Sequence, residues 1–345
     1  MIVGIVGSGA MGSGIAQVAA LAGEEVRLFD ISHDVRNQAM LMLQNNVNKL
    51  VGKGIKSPPE GVSALGRIYI CEHMVTLADC DLIIEAIIED LDIKKDLFSN
   101  LEKVVSPNCI LATNTSSLSI ASIAATLIHP ERCLGIHFFN PPFLMRLVEV
   151  IPAIRTNQDI TIKIRNLIES WGKAVVIARD TPGFIVNKVA RPFYSEAIRI
   201  MEEGIADIYT IDQAMTTHGF KMGPFSLMDF IGHDVNYRVT ESVWKSFYFD
   251  SRYRPSLAQL RLVEAGYLGR KSGRGFYNYL DNDTSEPNMQ KELLDTIFLR
   301  IISMLINEAA DTVGNLICTE DDVETAVKLG VNYPKGLLEW GNEIG

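Results

Sequence analysis

IVGIVGSGAMGSGIAQVAALAG, residues 2–23, is the stretch that decides the fold of the N-terminal part of this chain. A short apolar run leads into the pattern Gly7-x-Gly9-x-x-Gly12, and a helix-like segment follows it. Between a strand and a helix, these glycines allow a tight turn, close approach of the backbone to a pyrophosphate, and close packing of the helix on the strand. The stretch therefore predicts a strand, a phosphate-binding turn and a helix.

The residues around the pattern make it more specific than an ordinary glycine turn, which is its alternative interpretation. Backbone N–H groups at the start of the helix, those of Ala10 and Met11 among them, are suited to bind phosphate oxygens. The next apolar run, EVRLFD, ends in Asp30, whose carboxylate can accept hydrogen bonds from both ribose hydroxyls. That carboxylate would repel a 2′-phosphate, and no arginine follows in the next residues, ISHD. The sequence predicts dinucleotide binding, with NAD favoured over NADP.

Composition describes an ordinary globular chain and excludes several classes of protein. Of the 345 residues, 47% are hydrophobic and 21% are charged, which is typical of a folded chain with two or three domains. The net charge of −10 argues against nucleic acid as a partner, because phosphate binding requires a basic face. Any anionic ligand must be held by local groups.

The five cysteines are scattered and form no C-x-x-C pair, so we expect neither disulfides nor a metal site. This pattern fits a reducing compartment and predicts a cytoplasmic location. The N-terminus lacks the basic residues of a signal peptide, and the run LIIEAII is short and contains a glutamate. We therefore expect no signal peptide and no membrane-spanning segment.

Two kinds of pattern divide the chain. Up to about residue 180, apolar runs alternate with helical segments; the runs are IVGIV, EVRLF, DLIIEA, CILAT, CLGIHFF, LVEVI and AVVIA. This alternation predicts parallel βαβ units with helices on both faces of a sheet. DTPGFI ends the pattern, and amphipathic helical stretches follow it. We predict an α/β Rossmann-type domain over 1–182, an all-helical domain over 183–282, and a further helical segment over 283–345.

His137 and Glu149 are notable in HFFNPPFLMRLVEV because the segments around them are apolar. A nicotinamide enzyme that oxidises an alcohol requires a base for the hydroxyl proton, and histidine suits this task near neutral pH. A carboxylate that binds one ring nitrogen fixes the tautomer and stabilises the imidazolium. Glu149 could fold back beside His137 after the Pro-Pro turn. The alternative is a core histidine bonded to a backbone carbonyl, with Glu149 paired to Arg146.

Several motifs, in this order, resemble the NAD-dependent (S)-3-hydroxyacyl-CoA dehydrogenase family. They extend from residue 1 to about 280 and comprise GSGAMGSGIAQVAALAG, IIEAIIEDLDIKKDLF, NTSSLSI, GIHFFNPPFLMRLVEVI, KAVVIARDTPGFIVNKV and GRKSGRGFYNY. The resemblance implies a Rossmann-type NAD domain followed by a helical domain. It also implies oxidation of the 3-hydroxyl group of an acyl-CoA to a ketone with hydride transfer to NAD, or the reverse reduction, as in fatty-acid β-oxidation.

The resemblance assigns catalytic roles to four residues. It implies a dyad of His137 and Glu149, and it puts the substrate-polarising serine of the family at Ser116. The asparagine that follows TPGFI in the family falls on Asn187. Ser116 and Asn187 would donate hydrogen bonds to a substrate oxygen as its charge changes.

Further contacts are implied around these groups. Cofactor contacts fall on Asn114, Glu89 and Lys94, although Glu89 and Lys94 could also be a solvated charge pair. Asn140 is either a contributor to the substrate site or a turn former before Pro141. Lysines on the helical excursion after the second strand could bind the 3′-phosphate of coenzyme A or simply form a solvated face; these are Lys49, Lys53 and Lys56.

Two other functions are compatible with parts of the pattern. A related NAD-dependent dehydrogenase of a free β-hydroxyacid would use a lysine as its base, and Lys188 adjoins Asn187. A non-catalytic dinucleotide-binding or structural protein would keep the fold alone. The joint presence of Ser116, His137, Glu149 and Asn187 argues against this second alternative.

The C-terminal part resembles a partial second copy of one helical unit, with 196–232 as the first copy and 308–341 as the second. The copies align Glu196 with Glu308, Gly219 with Gly330, and Pro224 with Pro334, but Asn187 with Leu299. The second copy thus keeps helix and turn residues and lacks the catalytic asparagine. In single-copy members of the family the helical domain forms a homodimer, whereas a duplicated copy replaces the partner in longer members. We expect a homodimer or a monomer with an internal pseudo-dimer.

Overall fold

A computed structural model describes residues 1–281 and 285–345. The chain forms two compact units, Met1–Asp180 and Thr181–Gly345. The predicted boundary between 282 and 283 lies outside the described residues. No helix in the described parts of the chain is long and apolar enough to cross a membrane.

The first unit is an eight-stranded sheet with helices, in the strand order β3-β2-β1-β4-β5-β6-β7-β8. Its elements in chain order are β1 (Ile2–Val6), α1 (Ala10–Leu21), β2 (Glu25–Phe29), α2 (His33–Gly52), α3 (Pro58–Leu65), β3 (Ile68–Cys71), β4 (Leu82–Glu85), α4 (Leu91–Val104), β5 (Ile110–Thr113), α5 (Ile120–Ala124), β6 (Cys133–Phe138), β7 (Leu147–Pro152), α6 (Gln158–Ser170) and β8 (Ala174–Ile177). The central strands β4, β5 and β6 are buried along their whole length, as strands covered on both faces must be.

The prediction of a Rossmann-type domain is confirmed, and five of the seven predicted strands are parallel, but the last two predicted strands run in the opposite direction. β7 runs antiparallel to β6, and β8 is parallel to β7. The connection between β6 and β7 contains the Pro-Pro turn and is too short for the helical crossover that a parallel pair requires. The sequence interpretation also missed β3, a four-residue strand at the edge of the sheet.

The second unit is built from helices. They are α7 (Val186–Val189), α8 (Arg191–Glu202), α9 (Ile208–Thr217), α10 (Pro224–Ile231), α11 (His233–Ser246), α12 (Leu257–Glu264), α13 (Lys291–Gly314), α14 (Glu320–Gly330) and α15 (Leu337–Ile344). The helical segment around Pro192 is divided at Ala190 into α7 and α8. Pro192 occupies the first turn of α8, where its missing N–H leaves no helical hydrogen bond unmade.

The glycine-rich motif GRKSGRGFYNY packs around the buried Asp229 of α10. The carboxylate of Asp229 accepts hydrogen bonds from the backbone N–H groups of Phe276 (2.9 Å) and Tyr277 (3.0 Å). A Cβ atom at Gly269 would lie 2.2 Å from the Asp229 carbonyl oxygen, and one at Gly275 would lie 2.2 Å from its carboxylate. These glycines are therefore required for packing within the helical unit.

The last three helices cover aromatic side chains of the earlier ones. The ring of Trp340 stacks on Phe220 with centroids 5.5 Å apart, and Tyr333 contacts both Phe220 (5.0 Å) and Phe193 (5.7 Å). α13 packs along α8 and α9. The segment after residue 285 thus contributes to the core of the second unit.

Candidate active site

The glycine turn joins β1 to α1 with a different steric role for each glycine. Gly7 has φ +99°, and a Cβ atom there would lie 2.6 Å from the carbonyl oxygen of Ala86. A Cβ atom on Gly12 would lie 1.8 Å from the carbonyl oxygen of Gly7. Gly9, in contrast, faces open space, with no atom within 4 Å of the position of a Cβ. The turn leaves room at Gly9 for a ligand to reach the backbone at the start of α1.

Asp30 follows β2 and holds the glycine turn in place. Its two carboxylate oxygens accept hydrogen bonds from the backbone N–H groups of Ser8 (2.8 Å) and Ser32 (2.9 Å). Arg36, which sequence reasoning missed, donates to the carbonyl oxygen of Asp30 at 2.8 Å and lies 3.6 Å from Glu72. An arginine therefore lies beside the predicted ribose-binding residue, although none follows Asp30 directly in the sequence.

His137 and Glu149 form a buried hydrogen-bonded pair. They are directly opposite each other in the antiparallel ladder of β6 and β7, so their side chains share one face. Nδ1 of His137 lies 2.6 Å from Oε2 of Glu149, and the side chain of Glu149 is fully buried. Since a carboxylate can only accept, Nδ1 carries the proton in this bond. The ring of Phe139 packs against the imidazole at 4.5 Å.

Lys94 lies in a buried charge network. Its side chain is 1% exposed, and its ammonium group lies 2.5 Å from Oε1 of Glu85 and 3.4 Å from Oε2 of Glu89. Thr113 donates to the other oxygen of Glu85 at 2.7 Å. The alternative of a solvated Glu89–Lys94 pair is therefore wrong. Sequence reasoning missed Glu85, whose signal was a single carboxylate within the apolar run LIIEAII.

Glu89 connects this network to the loop that carries Ser116. Its Oε1 accepts hydrogen bonds from Thr115 Oγ1 (2.5 Å), Ser116 N (2.9 Å) and Ser116 Oγ (3.3 Å). Burial opposes ionisation of Glu89, but the Lys94 ammonium and these hydrogen bonds outweigh it, so the pKa of Glu89 lies below its usual range. Glu89 is thus an ionised carboxylate that fixes the backbone at Ser116.

Asn114 and Asn140 lie on either side of β6. Oδ1 of Asn114 accepts a hydrogen bond from the backbone N–H of Phe138 at 2.8 Å, which attaches the end of β5 to the strand that carries His137. Asn140 is exposed in the turn after β6. Of these two asparagines, only Asn114 is part of the hydrogen-bond framework around His137.

Most of the cofactor and catalytic residues predicted in the first unit gather at one edge of its sheet. The glycine turn, Asp30, Glu89, Ser116 and His137 all follow, or lie near, the carboxyl ends of the parallel strands β1, β2, β4, β5 and β6. Glu149 is near the start of the antiparallel β7 and so lies at the same edge. Ligands of open α/β sheets bind outside this edge.

The predicted coenzyme A lysines lie elsewhere. α2 begins beside Asp30 and is 20 residues long, so its far end is about 30 Å away at 1.5 Å per residue. Lys49 is in its last turn, Lys53 follows it, and both are exposed. Lys56 lies 3.4 Å from Glu60, which already compensates its charge. The lysines thus form a separate group at the remote end of α2.

Asn187 and Lys188 belong to the second unit and have different surroundings. The carbonyl oxygen of Asn187 accepts a hydrogen bond from Arg191 at 2.9 Å. The ammonium group of Lys188 is buried and binds Glu308, Asp311 (2.9 Å) and Thr312 (2.9 Å), all on α13. Because its ammonium group binds three residues of one helix, Lys188 connects α7 to α13 and is not placed to act as a base.

Comparisons with known proteins agree with this arrangement. Residues 2–181 match the family model of the 3-hydroxyacyl-CoA dehydrogenase NAD binding domain, and residues 183–279 match the C-terminal domain of the same family. The chain is 35% identical to a 3-hydroxyadipyl-CoA dehydrogenase of Escherichia coli K12, with 99% of this chain and 90% of that protein covered. It is 41% identical to a 3-hydroxybutyryl-CoA dehydrogenase of Bradyrhizobium diazoefficiens, with 80% of this chain and 94% of that protein covered.

A crystal structure named 3-hydroxybutyryl-CoA dehydrogenase from Escherichia coli K12 superposes on the whole chain. The TM-score is 0.94 at 34% identity, and 92% of that chain is covered. The matched NAD binding domain contains both the glycine turn, where NAD is expected to bind, and the buried His137–Glu149 pair. The chain therefore belongs to the 3-hydroxyacyl-CoA dehydrogenase family and is an NAD-dependent dehydrogenase of 3-hydroxyacyl-CoA.

Proposed function

We propose that His137 is the general base of this dehydrogenase and that Glu149 orients and stabilises it. The observation that carries this proposal is the 2.6 Å contact between His137 Nδ1 and Glu149 Oε2 in a buried setting. With Nδ1 engaged, Nε2 accepts the proton of the substrate 3-hydroxyl group. NAD, when bound, would accept the hydride that leaves C3 of the substrate. Glu149 stabilises the positive charge that the imidazole gains, and in the reverse reduction His137 returns the proton.

Ser116 and Asn187 are proposed to donate hydrogen bonds to a substrate oxygen. Ser116 Oγ lies 3.3 Å from Glu89 Oε1, a long contact beside the 2.5 Å bond from Thr115 to the same oxygen. We propose that the Ser116 hydroxyl turns from Glu89 towards a substrate oxygen when the substrate binds. Glu89 keeps its bond to the Ser116 backbone, so the loop stays in place when the hydroxyl turns.

The cofactor is proposed to contact the glycine turn, Asp30, Glu89 and Asn114. The open space at Gly9 and the backbone N–H groups at the start of α1 suit the pyrophosphate. Asp30 suits the ribose hydroxyls with the lone pairs that Ser8 and Ser32 leave. Lys94, buried between two carboxylates, is proposed to act by orienting Glu89.

We propose that three lysines and Asn140 contact the acyl-CoA, as the resemblance to the family implies. Lys49 and Lys53 are exposed cations at the far end of α2 that suit a nucleotide phosphate, whereas Lys56 is partly compensated by Glu60. Asn140 is exposed near the proposed base and suits a substrate contact. We also propose a cytoplasmic location, which is supported by five cysteines that form no disulfide bonds in the structure.

A lysine-based dehydrogenase of a free hydroxyacid is not favoured, because Lys188 is bound by Glu308, Asp311 and Thr312. The test is NADH formation with 3-hydroxyacyl-CoA thioesters of increasing chain length, and with free 3-hydroxybutyrate as the control substrate. We expect turnover of thioesters only. Turnover of the free acid at the rate of the thioesters would contradict the acyl-CoA function.

A further inference from the structure

Two ion pairs between α13 and the helices α7 and α8 are related by the offset of the predicted repeat. Lys188 of α7 binds Glu308 of α13, and Arg300 of α13 binds Glu196 of α8 at 2.6 Å. The alignment that superposes Glu196 on Glu308 also superposes Lys188 on Arg300. When each copy is extended by eight residues towards the N-terminus, to Lys188 and to Arg300, it supplies the cation of one pair and the carboxylate of the other. Reciprocal contacts of this kind define a twofold interface.

The two pairs differ in burial and in surroundings. The side chains of Lys188 and Glu308 are 1% and 4% exposed, and the hydroxyl of Tyr253 also donates to Glu308. Arg300 is 32% exposed, and both of its terminal nitrogens bind Glu203. The first pair is therefore part of a closed, buried network, whereas the second lies at the edge of the interface.

The buried pair has an effect on the backbone next to it. α7 is a single turn of four residues, which is too short to be stable without external contacts. It begins after the turn at Gly183, whose carbonyl oxygen accepts a hydrogen bond from the Lys188 N–H at 3.2 Å. Arg191 binds the carbonyl oxygen of Asn187 from the other end. The side chain of Lys188 connects this turn to α13 through Glu308, Asp311 and Thr312.

We propose that the Lys188–Glu308 pair positions Asn187 for catalysis, and that the second copy is present to supply Glu308. This inference rests on the proposed role of Asn187. The family model of the C-terminal domain ends at residue 279, so α13 lies outside it. Relatives such as the 3-hydroxybutyryl-CoA dehydrogenase of Bradyrhizobium diazoefficiens are covered over 94% of their length by 80% of this chain. By this inference, the segment after residue 285 affects catalysis through the position of Asn187.

The test compares two neutral pair variants in the full-length enzyme. Lys188→Met with Glu308→Gln removes the buried pair, and Arg300→Met with Glu196→Gln removes its repeat-related counterpart as the matched control. We expect kcat with 3-hydroxybutyryl-CoA to fall by about tenfold or more for the first variant, because small displacements of a positioning group have large effects on the rate. The control variant should keep kcat within about twofold, and the Kd for NAD should be unchanged in both.

Two further variants separate positioning from general destabilisation. Adding Lys188→Met and Glu308→Gln to Asn187→Ala should cause no further loss of kcat, because both changes act through the same side chain. The single variant Lys188→Arg should keep kcat within about threefold of the parent value, since arginine occupies the aligned position 300 opposite Glu196. Thermal unfolding identifies any variant that has lost its fold.

Three results would overturn the inference. Equal loss of kcat in the two pair variants would indicate general destabilisation, and an additional loss in the Asn187→Ala background would indicate an independent effect. Unchanged turnover in Asn187→Ala itself would remove both the assigned role of Asn187 and the inference built on it. Failure of the proposed function is recognised separately, because the unmodified enzyme would then form no NADH from any thioester.

Discussion

Asp30 accepts a hydrogen bond from the Ser8 N–H of the glycine turn and is also proposed to bind the ribose of the cofactor. We expect Asp30→Ala to raise the Kd for NAD and to weaken discrimination against NADP, because it removes an acceptor and a repulsive charge. Arg36, held beside this position, would then favour a 2′-phosphate. Titration of both cofactors measures the ratio, with the exposed Asp34→Ala as the charge-matched control. An unchanged ratio of the two Kd values would mean that Asp30 does not contact the ribose.

Individual residues could be predicted where their chemistry depends on short spacing. The three glycines and Asp30 were found because one strand–turn–helix unit and the following strand contain them all. Glu85 was missed because its partners, Lys94 on α4 and Thr113 on β5, come from separate elements. Its role depends on strand order, which no local pattern specifies.

At the scale of the element, the strand–turn–helix unit makes a prediction that separates folding from binding. Gly9 has φ −65°, which any residue adopts, and open space at its Cβ position. We expect Gly9→Ala to keep the thermal stability of the free protein and to raise the Kd for NAD by about tenfold or more, because the methyl group occupies the pyrophosphate position. Differential scanning calorimetry and NAD titration measure the two quantities.

Gly12→Ala is the matched control, because its Cβ would lie 1.8 Å from the Gly7 carbonyl oxygen. This variant should lose stability whether or not NAD is present. If Gly9→Ala and Gly12→Ala lowered stability equally, or if Gly9→Ala bound NAD as tightly as the parent, the assignment of the three glycines would be wrong.

The β6–β7 hairpin is the element that sequence reasoning described only in part. The Pro-Pro turn suggested that Glu149 folds back beside His137, but the general pattern predicted a parallel sheet. The antiparallel register decides the geometry, because a slip of one residue would turn Glu149 to the other face. The two side chains could be identified from the sequence, whereas their 2.6 Å contact depends on a pairing that only the folded sheet defines.

At the scale of the whole molecule, the second unit depends on its last three helices. Ending the chain near residue 280 would uncover Phe193 and Phe220, which now pack on Tyr333 and Trp340. We expect the shortened protein to self-associate or aggregate, because an exposed aromatic surface favours association with another chain. Light scattering measures the change in mass. A shortened protein that kept the oligomeric state, solubility and activity of the parent would contradict the internal pseudo-dimer.

The predicted repeat rests on helix and turn residues that recur at offsets of 110 to 112 residues, as from Glu196 to Glu308 and from Pro224 to Pro334. The reciprocal pairs of Lys188 with Glu308 and Arg300 with Glu196 were not visible, because an offset aligns equivalent residues and does not show which ones meet. Pairing across a twofold interface is a property of the assembled helices. The function proposed for the segment after residue 285 therefore rests on contacts that are seen in the structure and not in the sequence.

The most direct test of the central claim is kcat for 3-hydroxybutyryl-CoA in the parent and in His137→Gln. We expect kcat to fall by about 10²–10⁴ with little change in the Kd for NAD, since the general base is lost while the cofactor site remains. The kcat of Glu149→Gln should fall less, and the kcat of the double variant should be no lower than that of His137→Gln alone. His129→Gln is the control, because His129 and Glu131 form a similar but exposed pair at 3.1 Å. If His137→Gln turned over as fast as the parent and the control, His137 would not be the base.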